Sequence, residues 1–317
     1  MGKKRCLKQL LCVVEKNNSH LVIFFRIFSE QKLDCALWEL VPGDLVTLIT
    51  LNTPEAVIAF YAIDRIGAVA NWVDTKLSPT EVEEYLIRAQ SKVVLVLELA
   101  FAKVYQNRGQ APAEHFITLP LACYLPDALG EKLHLNTWQE SAGPGCMPWV
   151  SLLQTPQDIF PEKERWEEPV AITYTGGTTG PAKGVMLSRR AFRASLEQYA
   201  QAETEYGRGG ENLDLLPLFS AFGLCQCVHV PLCLGMGVIL SPLFRPNQLG
   251  QASAAIPSNA SQRNHLLLAV APARRMGKNS GSFLLGKCLA VAATHCRRNW
   301  NGASMLSWRK ADVRPIL

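Results

Sequence analysis

Blocks of apolar residues separated by capping and turn residues predict alternating strands and helices from residue 42 onward. The run DLVTLITL at 44–51 is apolar and β-branched, as a strand buried on both faces should be. Thr53 and Pro54 then open a helical pattern that ends at Gly67, which predicts a capped helix. AVANWV, at 68–73, follows as a second strand.

The same alternation continues to residue 97. Ser78, Pro79 and Glu81 have the spacing of a capping box, so a helix is predicted over 79–90, and KVVLVL at 92–97 predicts a third strand. Three strands joined by two helices predict a parallel sheet with right-handed crossovers. The predicted fold class is therefore α/β, with layered parallel sheets and flanking helices.

The rest of the chain divides into regular and irregular stretches. A strand is predicted at 170–175, a helix from Ser188 to residue 201, and a strand at 213–219. Residues 1–41 include the apolar run LVIFF but have no clear helical or strand period. The predicted organisation is an atypical N-terminal segment, an α/β domain and an aperiodic basic tail, at 1–41, 42–248 and 249–317.

The stretch 215–244 carries no formal charge and is long enough to span a membrane. Three prolines and three glycines interrupt it, however. A buried strand, a buried helix from about Phe222 to Leu234 and another strand fit that punctuation better. At most a peripheral membrane contact is predicted.

Charge and cysteine usage narrow the classes of protein further. The net charge of +5 arises in the tail, where 249–317 hold ten Lys and Arg against one acidic residue, so no nucleic-acid partner is predicted. The ten cysteines form no CxxC pair and show no metal-ligand spacing with histidine, which favours reduced thiols in the cytoplasm. The apolar run near the N-terminus is broken by Lys8 and ended by Glu15, so no signal peptide is predicted.

The chemistry is concentrated in YTGGTTGPAKGVMLS, at 174–188. Glycines let a backbone approach an anion closely, the hydroxyls of Thr178 and Thr179 add donors, and Lys183 adds a point charge suited to phosphate. A strand leading through such a loop into a helix would present these groups to a phosphate chain. The spacing fits neither a P-loop nor a dinucleotide fingerprint, because Ala182 and Gly184 flank the lysine. An ordinary glycine-rich turn with a solvated lysine is the alternative.

This loop resembles the signature of the adenylate-forming superfamily, which includes acyl-CoA synthetases, luciferases and peptide-synthetase adenylation domains. The TGGTTG form is most similar to fatty-acyl-CoA synthetases, and flanking segments extend the resemblance over about 36–248. The resemblance implies ATP-dependent activation of a small-molecule carboxylate, such as a fatty acid, as an acyl-adenylate, and then thioester formation with coenzyme A. It implies ATP, Mg²⁺ and coenzyme A as cofactors. The loop residues it assigns to the phosphates of ATP are Thr175, Gly176, Gly177, Thr178, Thr179, Gly180 and Lys183.

The sequence also departs from this family. Ser220 stands where many members have a histidine of the acyl and adenylate pocket, and with Phe222 and Gly223 it is the predicted pocket wall. Arg189 replaces another usual histidine. No Tyr-Gly-x-Thr-Glu segment for Mg²⁺ and no Thr-Gly-Asp segment for ribose follows residue 248, so no metal ligand is predicted, nor is a C-terminal catalytic lysine.

These departures leave alternatives for the tail and for the function. A truncated or out-of-frame chain would end in an aperiodic basic tail, and a genuine basic appendage for anionic partners is the other interpretation. The chain is accordingly predicted to be either an acyl-CoA ligase or a catalytically incomplete fragment that at most binds nucleotide. Oligomeric state does not follow from the sequence.

Overall fold

A computed structural model describes ten segments of the protein: 13–17, 20–24, 40–121, 145–152, 166–175, 182–201, 211–214, 216–234, 236–240 and 315–316. The strands are β1 Val13–Asn17, β2 His20–Phe24, β3 Leu45–Ile49, β4 Val69–Val73, β5 Val93–Leu97, β6 His115–Leu119, β7 Cys146–Pro148, β8 Pro169–Tyr174, β9 Gly184–Ser188, β10 Glu211–Asp214, β11 Gly237–Leu240 and β12 Pro315–Ile316. The α-helices are α1 Pro54–Ile66, α2 Pro79–Ala89, α3 Phe101–Gln106, α4 Trp149–Leu152, α5 Arg189–Gln201 and α6 Val230–Cys233. A 3₁₀ turn at Glu98–Ala100 precedes α3, and a π-helix at Gly223–His229 precedes α6.

The larger sheet confirms the α/β prediction. In the described segments its strand order is β12-β9-β8-β4-β3-β5-β6-β7, and the six strands from β8 to β7 are parallel. Strand β9 runs antiparallel to β8, and β12 runs antiparallel to β9. The smaller sheet has the order β1-β2-β11-β10, in which β10 and β11 are parallel.

Helix α1 begins and ends at the predicted residues. The Thr53 side chain accepts a hydrogen bond from the backbone N–H of Ala56, and Pro54 occupies the first turn. Gly67 has φ 82°, a left-handed conformation that costs glycine little, and its N–H donates to the last carbonyls of the helix. These local signals fix the helix where its apolar face meets the sheet.

Helix α2 has the predicted capping box. The Ser78 hydroxyl accepts from the Glu81 backbone N–H, and the Glu81 carboxylate accepts from the Ser78 backbone N–H at 2.7 Å. The Ser78 hydroxyl also donates to the Glu81 carboxylate, and this bond, together with the one from the Ser78 backbone N–H, lowers the pKa of Glu81. The helix ends at Gln90, which takes a left-handed φ of 49°.

Alternate residues of the central strands pack into two separate apolar layers. Leu48 and Trp72 face the layer beneath α1, where Phe60 lies 6.2 Å from Trp72 between ring centroids. Ile49 and Val73 face the opposite layer, which α2 and α3 cover. Strands β4 and β5 are buried at every position, as expected for a parallel sheet covered on both faces.

Two expectations are corrected. The strand predicted over 213–219 ends at Asp214, because Pro217 and Ser220 form a turn there. Residues 1–41, in which no strand period was visible, include the antiparallel pair β1 and β2, and β2 pairs with β11. Pairing with a distant strand can stabilise a short segment whose own pattern is weak.

The other expectations on organisation stand as predictions. Of the tail at 249–317 the structure describes β12 alone, and the predicted limits of the three segments stay predictions. None of the helices in the described segments is long and apolar enough to cross a membrane.

Candidate phosphate-binding loop and its supports

The glycine-rich loop joins two antiparallel strands. Tyr174 of β8 lies opposite Gly184 of β9, and the pairing continues to Pro169 opposite Ser188. The sequence predicted a helix beyond the loop, capped by Ser188, and no element at 184–187. The helix is present as α5, which begins at Arg189, and β9 lies between it and the loop. The first N–H groups of that helix therefore follow a strand and not the loop, although Ser188 does accept a hydrogen bond from Ala191 N–H, as its predicted capping role requires.

The residues at the two ends of the loop bond to each other. The backbone N–H of Thr175 donates to the carbonyl of Lys183 at 3.0 Å, and the backbone N–H of Lys183 donates to Thr175 Oγ1 at 3.2 Å. We call this pair the loop stem. Lys183 is exposed, so its ammonium can meet an anion without prior loss of a buried contact.

The other predicted loop residues, Gly176, Gly177, Thr178, Thr179 and Gly180, lie outside the described residues. Their assignment to phosphate stays a prediction. Thr175 and Lys183 are thus the two predicted phosphate-loop residues that the structure brings together.

Helix α2 contacts both sides of the stem. Arg88 Nη1 donates to the carbonyl of Ala182 at 3.1 Å, next to Lys183. On the other side, the rings of Tyr85 and Tyr174 meet edge to face with centroids 4.5 Å apart. The Arg88 guanidinium also lies over the Tyr85 ring, 5.6 Å from its centroid. Nothing in the local sequence pattern indicated these contacts.

A buried polar chain runs from the stem into the sheet. The Tyr174 hydroxyl donates to Asn71 Oδ1 at 2.9 Å, and Asn71 Nδ2 donates to Thr47 Oγ1 at 2.9 Å. The hydroxyls of Thr47 and Ser91 are 2.7 Å apart. Burial raises the pKa of Tyr174 to about 12, so its hydroxyl keeps its proton and serves as a donor. Asn71 stands out in the sequence as an amide within an apolar strand, a signal that was not used.

The predicted pocket residues lie at the start of the π-helix. Ser220 Oγ donates to the carbonyl of Pro217 at 2.7 Å and accepts from Gly223 N–H at 3.0 Å, so this hydroxyl acts as a helix cap. A Cβ on Gly223 would lie 2.2 Å from the Pro217 carbonyl oxygen, which explains the glycine. Phe222 is half-buried. Among the described residues no hydrogen bond joins these three to the stem, and their role in a pocket stays a prediction.

A second buried polar group ties the turn after β10 to the larger sheet. Asn52 Nδ2 donates to Asp214 Oδ2 at 3.0 Å and to the Leu216 carbonyl at 2.7 Å, while Asn52 Oδ1 accepts from Leu218 N–H at 3.1 Å. Burial raises the pKa of Asp214 well above its usual value, although Leu216 N–H donates to it. Neither Asn52 nor Asp214 was predicted from the sequence.

The predicted helix at about 222–234 is present, and its first half is π-helical. Pro231 has no N–H for the carbonyl of Cys227, four residues earlier, and Asn212 Nδ2 donates to that carbonyl at 2.6 Å instead. His229, on the same segment, has Nδ1 3.1 Å from the Tyr61 hydroxyl. Burial lowers the pKa of His229 to about 4, so the ring is neutral near pH 7.

The described segments contain no group of three His, Cys, Asp or Glu side chains arranged to hold a metal ion. A role for Mg²⁺ therefore stays an expectation from the resemblance.

Comparison with known proteins gives the family. A family model described as AMP-binding enzyme matches residues 37–257. The long-chain-fatty-acid–CoA ligase of Bacillus subtilis (strain 168) is 28% identical over 218 residues, which are 64% of this chain and 38% of the relative. The 4-coumarate–CoA ligase 2 of Oryza sativa subsp. japonica is 28% identical over 207 residues, which are 64% of this chain and 35% of the relative. The chain thus spans well under half the length of these curated relatives.

Solved structures agree on the fold. Acetoacetyl-CoA synthetase from Streptomyces lividans superimposes with a TM-score of 0.55 at 17% identity, over 69% of this chain and 33% of that chain. The inhibitor-bound N-terminal domain of FACL13 from Mycobacterium tuberculosis gives a TM-score of 0.51 at 24% identity, over 68% of this chain and 48% of that chain. Because the family match covers well over half of the sequence and includes the loop, this chain belongs to the AMP-binding enzymes, the adenylate-forming superfamily.

Proposed function

We propose that this chain takes part in the ATP-dependent activation of a carboxylate as an acyl-adenylate, followed by transfer of the acyl group to coenzyme A. The observation that carries the proposal is the loop stem, which holds an exposed Lys183 at the mouth of the Gly/Thr loop in a member of the AMP-binding family. The names of the matched relatives support the reaction class, since they describe CoA ligases.

The residues of the stem suit a phosphate chain. In this proposal, bound ATP supplies the adenylyl group that is joined to the carboxylate with loss of pyrophosphate. Lys183 contributes a positive charge where negative charge accumulates on the departing group, and the stem hydrogen bonds hold its backbone in place before binding.

A fatty acid is the proposed carboxylate. The TGGTTG form of the loop and the relative named as a long-chain-fatty-acid–CoA ligase support it. Aromatic acids such as 4-coumarate are the alternative, because several other relatives carry the name 4-coumarate–CoA ligase. Mg²⁺ and coenzyme A enter the proposal through the family alone.

ATP–pyrophosphate exchange tests the reaction. The full chain is incubated with ATP, Mg²⁺, labelled pyrophosphate and, in turn, fatty acids of several lengths and 4-coumarate. We expect exchange to depend on a fatty acid and to fall about a hundredfold or more in Lys183→Ala, since a lost charge-stabilising donor typically costs that much. Exchange no greater than that of the Lys183→Ala control would reject the enzyme.

A second measurement separates the enzyme from the catalytically incomplete fragment. Binding of a fluorescent ATP analogue, compared between the unaltered chain and Lys183→Ala, reports the nucleotide alone. Binding that Lys183→Ala weakens, without exchange, would favour the fragment that retains nucleotide binding. Equal binding by both chains would contradict the role of Lys183.

We further propose a cytoplasmic location, with a small-molecule carboxylate as the partner, no nucleic acid and at most a peripheral contact with membranes. The cysteine pattern and the placement of the charge support these points. Cell fractionation tests the location, and carbonate extraction of the membranes tests the contact with them. Retention in the pellet would argue for integral insertion.

A further inference from the structure

Helix α2 contacts the chain on both sides of the loop stem. Tyr85 packs edge to face on Tyr174, the residue before Thr175, and Arg88 donates to the carbonyl of Ala182, the residue before Lys183. Tyr85 and Arg88 are three positions apart, so they lie on neighbouring parts of one helix face. One rigid element therefore touches the chain where it enters the loop and where it leaves.

We propose that Arg88 is a positioning residue for Lys183, acting through the Ala182 carbonyl, and that it sets the geometry of the stem for the phosphates of a nucleotide. The effect of Arg88 on nucleotide binding rests on the proposed function, since it assumes that Lys183 meets phosphate. The contact itself does not, because it joins two groups of this chain.

The position of Arg88 on its helix suits this task. The opposite side of α2 is anchored by Val82 and Leu86, which are fully buried in the layer above Ile49. Arg88 lies in the last turn, where the helix dipole favours a cation. Its guanidinium is further oriented by the Tyr85 ring. A side chain fixed at its base and oriented at its tip can hold a neighbouring backbone carbonyl with little loss of its own entropy.

The hydrogen bond from Arg88 also restrains the end of the loop from a second side. Lys183 N–H and Lys183 C=O are both used by Thr175, so the backbone of Lys183 is held on one side only. Arg88 restrains the adjoining peptide, at Ala182, from the other side. Without that restraint the lysine ammonium would sample a wider range of positions, and an anion would have to pay the cost of ordering it.

The test compares Arg88→Ala with Arg88→Lys. A matched control is Arg65→Ala, which removes an exposed arginine from the last turn of α1. The first readout is amide hydrogen exchange of Thr175 and Lys183 in the chain without nucleotide. We expect Arg88→Ala to raise exchange about threefold to tenfold, the equivalent of one ordinary hydrogen bond, and Arg65→Ala to leave it unchanged. Arg88→Lys should restore part of the protection, because its ammonium can still donate to the carbonyl but lacks the fixed geometry of the guanidinium.

The second readout is affinity for a fluorescent ATP analogue. Arg88→Ala should weaken binding by a similar factor, and Arg88→Lys should recover part of it. Unchanged exchange in Arg88→Ala would overturn the inference, as would an equal rise in Arg65→Ala. If the unaltered chain binds no nucleotide at all, the proposed function fails, while the exchange comparison still decides whether Arg88 holds the stem.

Discussion

The centre of the larger sheet buries every residue of β4 and β5, whereas the loop stem is held by two hydrogen bonds at Thr175 and Lys183 close to solvent. The first region derives its stability from apolar area, which is large and insensitive to exact geometry. The second depends on directed bonds, each of which contributes little net stability but fixes the position of a functional group. Substitutions in the first region should therefore unfold the protein, while substitutions in the second should alter binding with little change in stability.

The largest effect is expected from the core. Trp72→Ala removes the largest fully buried side chain of β4, next to Phe60, and should lower the free energy of unfolding by about 3–5 kcal/mol. Urea unfolding followed by circular dichroism measures it. Leu99→Ala is the control, since Leu99 is 47% exposed and its loss should change stability by less than about 0.5 kcal/mol. If Trp72→Ala left the free energy of unfolding unchanged, the contrast between the sheet centre and the loop stem would not hold.

Burial of His229 predicts a dependence on pH at the edge of the core. Its pKa is lowered from 6.5 to about 4 in the folded chain, because burial disfavours the charged ring. The unfolded chain therefore binds the extra proton first. The contribution of a neutral His229 to stability is fully present above pH 6.5 and is lost as the pH falls towards 4.

Unfolding by urea at a series of pH values between 4 and 7 tests this, given the pKa limits above. The part of the slope due to His229 should approach about 1.4 kcal/mol per pH unit. His229→Gln keeps a polar group near the Tyr61 hydroxyl but does not titrate, so the difference between the two chains isolates the histidine. Parallel pH profiles would show that another group is responsible.

The sequence carried enough information for the core because its signals there are local. Thr53 and Ser78 indicated the starts of α1 and α2, because each cap and the helix residues it bonds lie close together along the chain. Both caps are present. Continuous apolar runs likewise predicted strands buried on both faces. Because successive side chains of a strand point to opposite faces of the sheet, such runs also imply two apolar layers, one on each face.

The supports of the site could not be predicted in the same way, because their partners are far apart in sequence. Arg88 and Ala182 are 94 positions apart, and Asn52 and Asp214 are 162 apart. The short run after Lys183 was predicted to form no element, yet pairing with β8 makes it a strand. Such contacts form only after the chain has folded, so no local sequence pattern indicates them.

Ion pairs allow the comparison to be repeated with one type of interaction. Arg189 binds Asp64 at 2.5 Å with side chains 18% and 25% exposed, and it also donates to the Asp64 carbonyl. Arg193 binds Glu197 at 2.8 Å with side chains 42% and 54% exposed. Arg189→Ala should cost about 1–3 kcal/mol, because it takes a donor from a half-buried carboxylate, whereas Arg193→Ala should cost about 0.5 kcal/mol or less.

Thermal and urea unfolding of both variants, at low and at high salt, checks this order. The smaller effect should fade further with salt, since exposed pairs are screened. Equal costs would mean that burial does not govern these pairs. Arg189→His introduces the residue that is usual at this position in the family. Its stability should fall between those of the unaltered chain and Arg189→Ala, because a histidine cannot make both contacts of Arg189 with Asp64.

The substitution most informative about the stem removes one hydroxyl of the buried polar chain. Tyr174→Phe keeps the ring on Tyr85 but removes the hydroxyl that donates to Asn71, and should cost about 1 kcal/mol. Thr47→Val removes the acceptor of Asn71, further along the same polar chain, and should cost a similar amount. The two variants therefore disturb one network at different distances from the loop.

Their effects on the stem should differ although their stabilities agree. Tyr174 adjoins Thr175, so its loss should speed amide exchange at Thr175 and Lys183 and weaken nucleotide binding by about threefold, while Thr47→Val leaves both unchanged. If instead both variants loosen the stem equally, the polar chain acts as one unit and the division between a stabilising core and a positioning stem does not hold. Equal behaviour of Tyr174→Phe and the unaltered chain would leave the hold on the stem to the Tyr85 ring and to Arg88, because these contacts survive the loss of the hydroxyl.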